Sequence, residues 1–148
     1  MSPASDAFRL ERFVQAQHVV YEGALAELRA GGKTTHWMWF VFPQVAGLGR
    51  SETSARYAIR DLAEARAYLA HPILGPRLVE CTQAMVDQPV SDATRVLGGT
   101  DAVKFRSSLT LFAEASAPGS IFEAALAKYF SGERDSKTLN ALGAADPE

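Results

Sequence analysis

Residues 36–44 read HWMWFVFPQ, and the fold turns on how this run is read. Six consecutive apolar residues, four of them aromatic, stand between a histidine and a proline-glutamine pair. Aromatic and β-branched residues in a short apolar run suit a buried strand as well as a helix. Every position from 37 to 42 is apolar, so periodicity does not separate the two. A lone strand would leave its ladder groups unpaired in the core, and the chain offers no evident partner strand. The run is therefore assigned to a short helix capped by Thr34 or Thr35. A second question remains, whether it is only a core plug or also the wall of a binding site.

Outward from this run the signals are helical. On the N-terminal side, Asp6 is placed to cap a helix whose Phe13, Gln17, Val20, Tyr21, Ala24, Leu25 and Leu28 share one face, with Gly31 and Gly32 as its stop. On the C-terminal side, VAGLGRSETS reads as a loop, and Thr53 or Ser54 begins a short turn through Tyr57 and Ile59. Asp61 and Glu64 form a variant capping box for DLAEARAYLA, which His71 and Pro72 end. Pro76 suits the first position of a helix with Leu78, Cys81 and Met85 on one face, closed by Pro89. Ser91 starts a short helix stopped by Gly98 and Gly99, and Thr100 or Asp101 caps AVKFRSSLTLFAEA. Ser120 and Glu123 box the start of IFEAALAKYF, which Gly132 ends, and a last helix runs from Ser136 to Leu142. The expectation is an all-α fold, one compact multihelical domain built as an irregular bundle of about six to eight helices. It spans residues 1–148, with residues 1–5 and 143–148 as flexible tails. No repeat, low-complexity segment or linker divides it.

Composition narrows the function classes. With 148 residues and 47% hydrophobic content, the chain can bury a core without metals or disulfides. A net charge of -2 gives no general attraction to a phosphate backbone, so bulk nucleic acid is not an expected partner. The single cysteine, Cys81, cannot form an internal disulfide and fits a reducing compartment. No apolar run approaches the roughly 18 residues of a membrane span, and the N-terminus lacks an apolar signal-peptide core. A cytoplasmic protein with no membrane partner is expected. His18, His36 and His71 show no metal-ligand spacing, so neither a metal nor a cofactor is expected. Cys81, on an apolar helix face beside Met85, reads as a buried inert thiol.

The candidate site is drawn from three stretches. In the opening run, Met38, Phe40 and Val41 read as a core anchor. Trp37 and Trp39 carry an indole N–H and a flat face suited to a ring ligand, with His36 and Gln44 at the run's polar ends. The following loop supplies glycines for close backbone approach, the Arg50 cation and the hydroxyls of Ser51 and Ser54, a combination suited to an anion. It matches neither a Walker loop nor a GxGxxG fingerprint. In DAVKFRSS, Asp101, Lys104 and Ser107 or Ser108 share a helix face, where the plain reading is a solvated surface with an Asp101–Lys104 ion pair. Lys104 and Ser108 join the candidate ligand contacts.

HWMWFVFPQ, GLGRS, YAI, AYLAHPILGPRL and DAVKFRSSLTLF together resemble the signature stretches of a small bacterial helical family. That family is catalogued as a domain of unknown function, serial 1810, and is sometimes mislabelled calpastatin. The resemblance runs from about Phe8 to Leu142 and implies a compact all-α fold, with no established reaction. The order of an aromatic segment, an acidic residue in the next helix and a Gly-Gly and Lys segment is also similar to the superfamily of NAD- and ADP-ribose-linked helical enzymes. That fainter similarity implies N-glycosidic bond cleavage, with Glu64 as the carboxylate, Arg50 and Lys104 as anion donors and Trp37 or Trp39 against the base. Two function classes follow: a site for a small anionic or nucleotide-like ligand, and a non-enzymatic interaction module whose aromatic run is core or a protein-binding patch. They differ in whether His36, Arg50 and Lys104 converge on one concave pocket.

Overall fold

The computed structural model describes residues 8–48 and 51–145. Among them are nine helices, α1 (Glu11–Ala30), α2 (Met38–Val41), α3 (Glu52–Arg56), α4 (Leu62–Ala70), α5 (Leu74–Val86), α6 (Ala93–Leu97), α7 (Gly99–Glu114), α8 (Ile121–Phe130) and α9 (Ser136–Ala145). They form one compact all-α domain. The described residues contain no strand, only one isolated parallel bridge between Val45 and Ile59. No helix among them is long and apolar enough to cross a membrane. The count is one above the expected six to eight, and the segment expected as a short turn from Thr53 or Ser54 is itself a helix, α3.

The amphipathic face read for α1 is the face it buries. Phe13, Gln17, Ala24, Leu25 and Leu28 are buried, with Val20 and Tyr21 packed at the margin of the core. Gly31 takes the left-handed conformation (φ 83°), and its N–H and that of Gly32 close on Leu28 and Glu27 carbonyls. The cap assigned to Asp6 lies outside the described residues, and α1 starts after Leu10 without a side-chain cap. Asp61 caps α4 through the Glu64 N–H at 2.9 Å, and Ser120 caps α8 through the Glu123 N–H at 3.3 Å. In both, the glutamate reaches back one residue further than a capping box requires, to the N–H of Arg60 and of Gly119.

Six boundaries differ from the sequence reading. Thr34 and Thr35 do not cap α2: Trp37 stands at its N-cap without a side-chain cap bond, and the Thr35 hydroxyl donates to Glu27. Ser51 caps α3, by accepting from the Ser54 N–H at 3.0 Å. Asp92, not Ser91, caps α6, and α7 starts at Gly99, ahead of Thr100 and Asp101. Gly98 (φ 90°) ends α6 and opens α7 at one residue, so the glycine pair works as a hinge between helices as well as a stop. His71 ends α4 as expected, and its Nδ1 also accepts from the N–H groups of Ile73 and Leu74. That moves the start of α5 two residues ahead of Pro76. α9 extends to Ala145, into the segment expected to be a tail.

The core gathers around α7, which packs against α4, α6, α8 and α9. Ala102, Phe105, Ser107, Ser108 and the whole stretch from Leu109 to Ala113 are buried, so α7 is the interior helix and not the surface helix expected from its charges. Phe105 makes edge contact with Phe42 at 5.0 Å between ring centroids, which joins the opening run to this centre. Cys81 is buried and burial pushes its thiol up to about 12, in keeping with an inert core residue. The buried Gln17 amide ties four elements: its Nε2 donates to the Phe40 carbonyl at 2.6 Å and to the Tyr68 hydroxyl at 3.0 Å, and its Oε1 accepts from Arg77 at 3.3 Å.

The corner between α4 and α5 depends on the absence of a side chain at Gly75. A Cβ there would stand 2.1 Å from the Leu69 carbonyl oxygen, a backbone atom that cannot move without shifting α4. Gly75→Ala is expected to lower stability by about 2–3 kcal/mol by overpacking. Urea unfolding of the variant checks this, and a midpoint equal to that of the parent protein would show that the two helices are not packed so closely.

Candidate functional site

The site begins with one carboxylate. Glu27, in the last turns of α1, accepts hydrogen bonds from the backbone N–H groups of Thr34 (2.8 Å) and Thr35 (3.1 Å), the Thr35 hydroxyl (2.6 Å) and the Trp37 indole Nε1 (2.9 Å). Partial burial raises the pKa of Glu27, but these four bonds outweigh it and hold the carboxyl down at about 2. The clamp fixes the chain entering α2 and turns the Trp37 ring into the core, where it is 2% exposed. One helical turn then sorts the apolar run. Trp37, Met38, Val41 and Phe42 are buried, whereas Trp39 and Phe40 reach the margin. The run is thus a core plug on one face and a cavity wall on the other.

Trp39 faces a cavity of about 650 Å³. One side is formed by Gln44, Leu48, Ser51 and Ser54, and the other by the first turns of α7, with Gly99, Thr100, Val103 and Lys104. The Lys104 ammonium lies 4.0 Å from the centre of the Trp39 ring, a close cation–π contact. Lys104 also bonds to Asp101 at 3.2 Å, and Lys33 reaches the other oxygen of Asp101 at 2.7 Å. Burial raises the pKa of Asp101, but the two lysines outweigh it and hold the carboxyl below the usual range. Two cations against one carboxylate leave one positive charge in this cluster.

Two further features make the wall a donor surface. The N-cap of α7 is Gly98, which carries no side chain to cap the helix, so the N–H groups of its first turn lack intrahelical partners and present the positive end of the helix dipole. The indole Nε1 of Trp39 is buried and has no hydrogen-bond partner among the described residues. A buried donor left unmade is costly, and it marks a position where an acceptor fits.

Of the residues singled out from sequence, Trp39, Gln44, Ser51, Ser54 and Lys104 line this one cavity. Trp37 does not, since its ring is in the core and its N–H is taken by Glu27. His36 is exposed and outside the lining. Ser108 is 1% exposed on the interior side of α7, and its Oγ has no partner among the described residues. Arg50 lies outside the described residues. Glu64 lines a separate cavity, where Arg12 bonds to it at 2.9 Å. Sequence reasoning missed Leu48, Gly99, Thr100 and Val103. Placing the start of α7 at Thr100 or Asp101 hid them; the Gly-Gly pair followed by a helix was the available signal. Among the described residues, no group of three or more His, Cys, Asp or Glu is placed to hold a metal ion.

The profile of the family described as "Protein of unknown function (DUF1810)" matches residues 7–142. The fold is similar to the crystal structure of the conserved hypothetical protein Rv1873 from Mycobacterium tuberculosis, with a TM-score of 0.90 and 48% identity, covering 92% of this chain and 97% of that one. No curated protein matches the chain.

The Glu27 clamp has a pH signature. A carboxyl whose pKa is lowered on folding, from 4.5 to about 2, contributes stability that is fully present above pH 4.5 and is lost as pH falls towards 2. Solvent at the rim screens this half-buried group, so Glu27→Gln is expected to cost about 1–2 kcal/mol at pH 7. The gap between parent and variant should narrow between pH 4.5 and 2. Urea midpoints at pH 7, 4 and 3 check it; a gap independent of pH would show that the charge is not what holds the clamp.

Proposed function

We propose, for a chain that belongs to the DUF1810 family of proteins of unknown function, that the cavity between α2, α3 and the start of α7 binds a small ligand carrying a flat ring and an anionic group, of the nucleotide or ADP-ribose class. The observation that carries this reading is the Lys104 ammonium 4.0 Å from the Trp39 ring, beside the uncapped first turn of α7. The cation and the helix terminus suit a phosphate or carboxylate, and the apolar wall of Trp39, Leu48 and Val103 suits a ring. The unpartnered Trp39 N–H adds a donor that selects a ligand with an acceptor at that point. Gln44, Ser51 and Ser54 give polar contacts opposite, with Arg50, next to Ser51 in the chain, as a further anion donor.

Binding is the better-supported activity. Hydrolysis of an N-glycosidic bond needs a carboxylate beside the sugar carbon, and the described residues lining this cavity include none. Asp101 is held by two lysines, and Glu64 is committed to Arg12 elsewhere. The cavity therefore reads as a recognition site, with the reactive carboxylate expected at Glu64 having no place in it.

A thermal-shift titration with AMP, NAD and ADP-ribose tests this. A ligand at a hundred times its Kd stabilises the native state by about 2.7 kcal/mol and raises Tm by roughly 5 °C or more. Lys104→Ala is expected to weaken binding by about tenfold or more, through loss of a charge-assisted contact. Arg50→Ala should do likewise, and Trp39→Leu should weaken all three ring-bearing ligands. No shift with any of the three ligands, or equal shifts in the parent protein and Lys104→Ala, would sink the reading.

A further inference from the structure

A second cavity, of about 340 Å³, takes part of its lining from Ala46, Ala55 and Arg56, close in the chain to Gln44, Leu48, Ser51 and Ser54 of the first. Four arginines, Arg9, Arg12, Arg56 and Arg60, and one carboxylate, Glu64, line it. Arg12 is fully committed. Its Nε donates to the Arg56 carbonyl at 2.8 Å, one terminal nitrogen to the carbonyls of Phe8 and Arg9 at 2.6 and 2.9 Å, and the other to the Ala58 carbonyl at 2.8 Å and to Glu64 at 2.9 Å. Glu64 is equally occupied, since Arg12 takes Oε2 and the Arg60 N–H takes Oε1 at 2.8 Å. The pair forms a neutral, largely buried floor, with side chains 17% and 3% exposed.

The other three arginines are different. No carboxylate among the described residues lies within ion-pair distance of Arg9, Arg56 or Arg60. The guanidinium groups of Arg60 and Arg56 instead lie near aromatic rings, 5.1 Å from Phe8 and 6.0 Å from Tyr57. Four positive side chains against one negative leave three positive charges around a small concavity, on a chain whose net charge is -2. Arg9 is moreover held at φ 56°, a left-handed conformation that side-chain-bearing residues avoid, and its carbonyl is pinned by Arg12.

We infer that this arginine-lined cavity is a second anion site, which takes a small, multiply charged oxyanion of the phosphate or pyrophosphate class. Guanidinium groups present planar, forked donors that match phosphate oxygens two at a time, and the three exposed ones at the rim have no carboxylate within ion-pair distance among the described residues. The Arg12–Glu64 floor holds the backbone of residues 8, 9, 56 and 58 in place, so the site is built before the anion arrives. The small side chains of Ala46, Ala55 and Ala58 complete the walls and leave the arginines as the main polar side chains facing the cavity besides Glu64.

Isothermal titration of inorganic pyrophosphate and of orthophosphate into the parent protein, Arg56→Ala/Arg60→Ala and Lys104→Ala tests the inference. Neither Arg56 nor Arg60 uses its guanidinium in a hydrogen bond among the described residues, so the double variant should fold, and its urea midpoint checks that. Pyrophosphate should bind the parent, bind more tightly than orthophosphate, and lose at least tenfold in affinity in the double variant, while Lys104→Ala changes it less than twofold. Absence of binding, or binding that survives the double variant, overturns the inference. A loss confined to Lys104→Ala also overturns it, by placing the anion in the first cavity. If the first cavity's nucleotide reading fails while pyrophosphate still responds to Arg56 and Arg60, this site stands by itself.

Discussion

The site depends on the four hydrogen bonds that Glu27 accepts from residues 34, 35 and 37. Two of these satisfy backbone N–H groups of the connection ahead of α2, and one satisfies the indole of a tryptophan that is almost wholly buried. Once Trp37 is held inward, a turn of 3.6 residues leaves no freedom for Trp39, which must come out on the cavity side. The far end of the run is fixed independently, by the Gln17 amide on the Phe40 carbonyl. A segment with no polar side chain between His36 and Gln44 thus owes its orientation to two polar residues of α1, 23 positions or fewer away in sequence.

Much of the fold was legible because helix ends and amphipathic faces are local. The α1 face, the Asp61 and Ser120 caps and the glycine stop at residue 31 follow from neighbours within a turn or two, and all are present. The reading failed where the deciding partner is distant. Thr34 and Thr35 look like caps, but Trp37 stands at the N-cap of α2 and the Thr35 hydroxyl turns back to Glu27. Asp101 and Lys104 look like a surface pair until Lys33 joins them and α7 is found inside the bundle. Glu64 reads as a capping-box residue, and by resemblance as a carboxylate for catalysis, with no sign of Arg12, 52 residues earlier, which closes on it.

The candidate site was legible to the same degree and for the same reason. Trp39, Gln44, Ser51, Ser54 and Lys104 stand out by chemical type and local position, and they converge because residues 44, 48, 51 and 54 lie against the start of α7. Trp37 and Trp39 were indistinguishable by type, and only the phase of a single helical turn separates a core residue from a wall residue. The arginines at 9, 56 and 60 drew no notice as a group, since nothing in their spacing joins them. Their meeting is a product of the Arg12 bonds to the carbonyls of residues 8, 9, 56 and 58.

The two cavities share a partition, and its construction explains how one short segment serves both. Val45 and Ile59 bridge, with the Ile59 N–H on the Gln44 carbonyl and the Ala46 N–H on the Ile59 carbonyl, each at 2.8 Å. This anchors the segment at both ends without a sheet. Within it, the single turn of α3 turns Ser51 and Ser54 to the Trp39 cavity, three residues apart on one face, and Ala55 and Arg56 to the arginine cavity on the other. The Ser51 hydroxyl is already engaged as the cap of that turn, so its contribution to the first cavity is tied to the turn's own stability. Whatever fills either cavity therefore bears on a wall that is one helical turn thick. On the Trp39 side the hydroxyls of that wall are engaged within the turn, Ser51 as its cap and Ser54 on the Ser51 carbonyl, and the unpartnered side-chain donor there is the Trp39 indole.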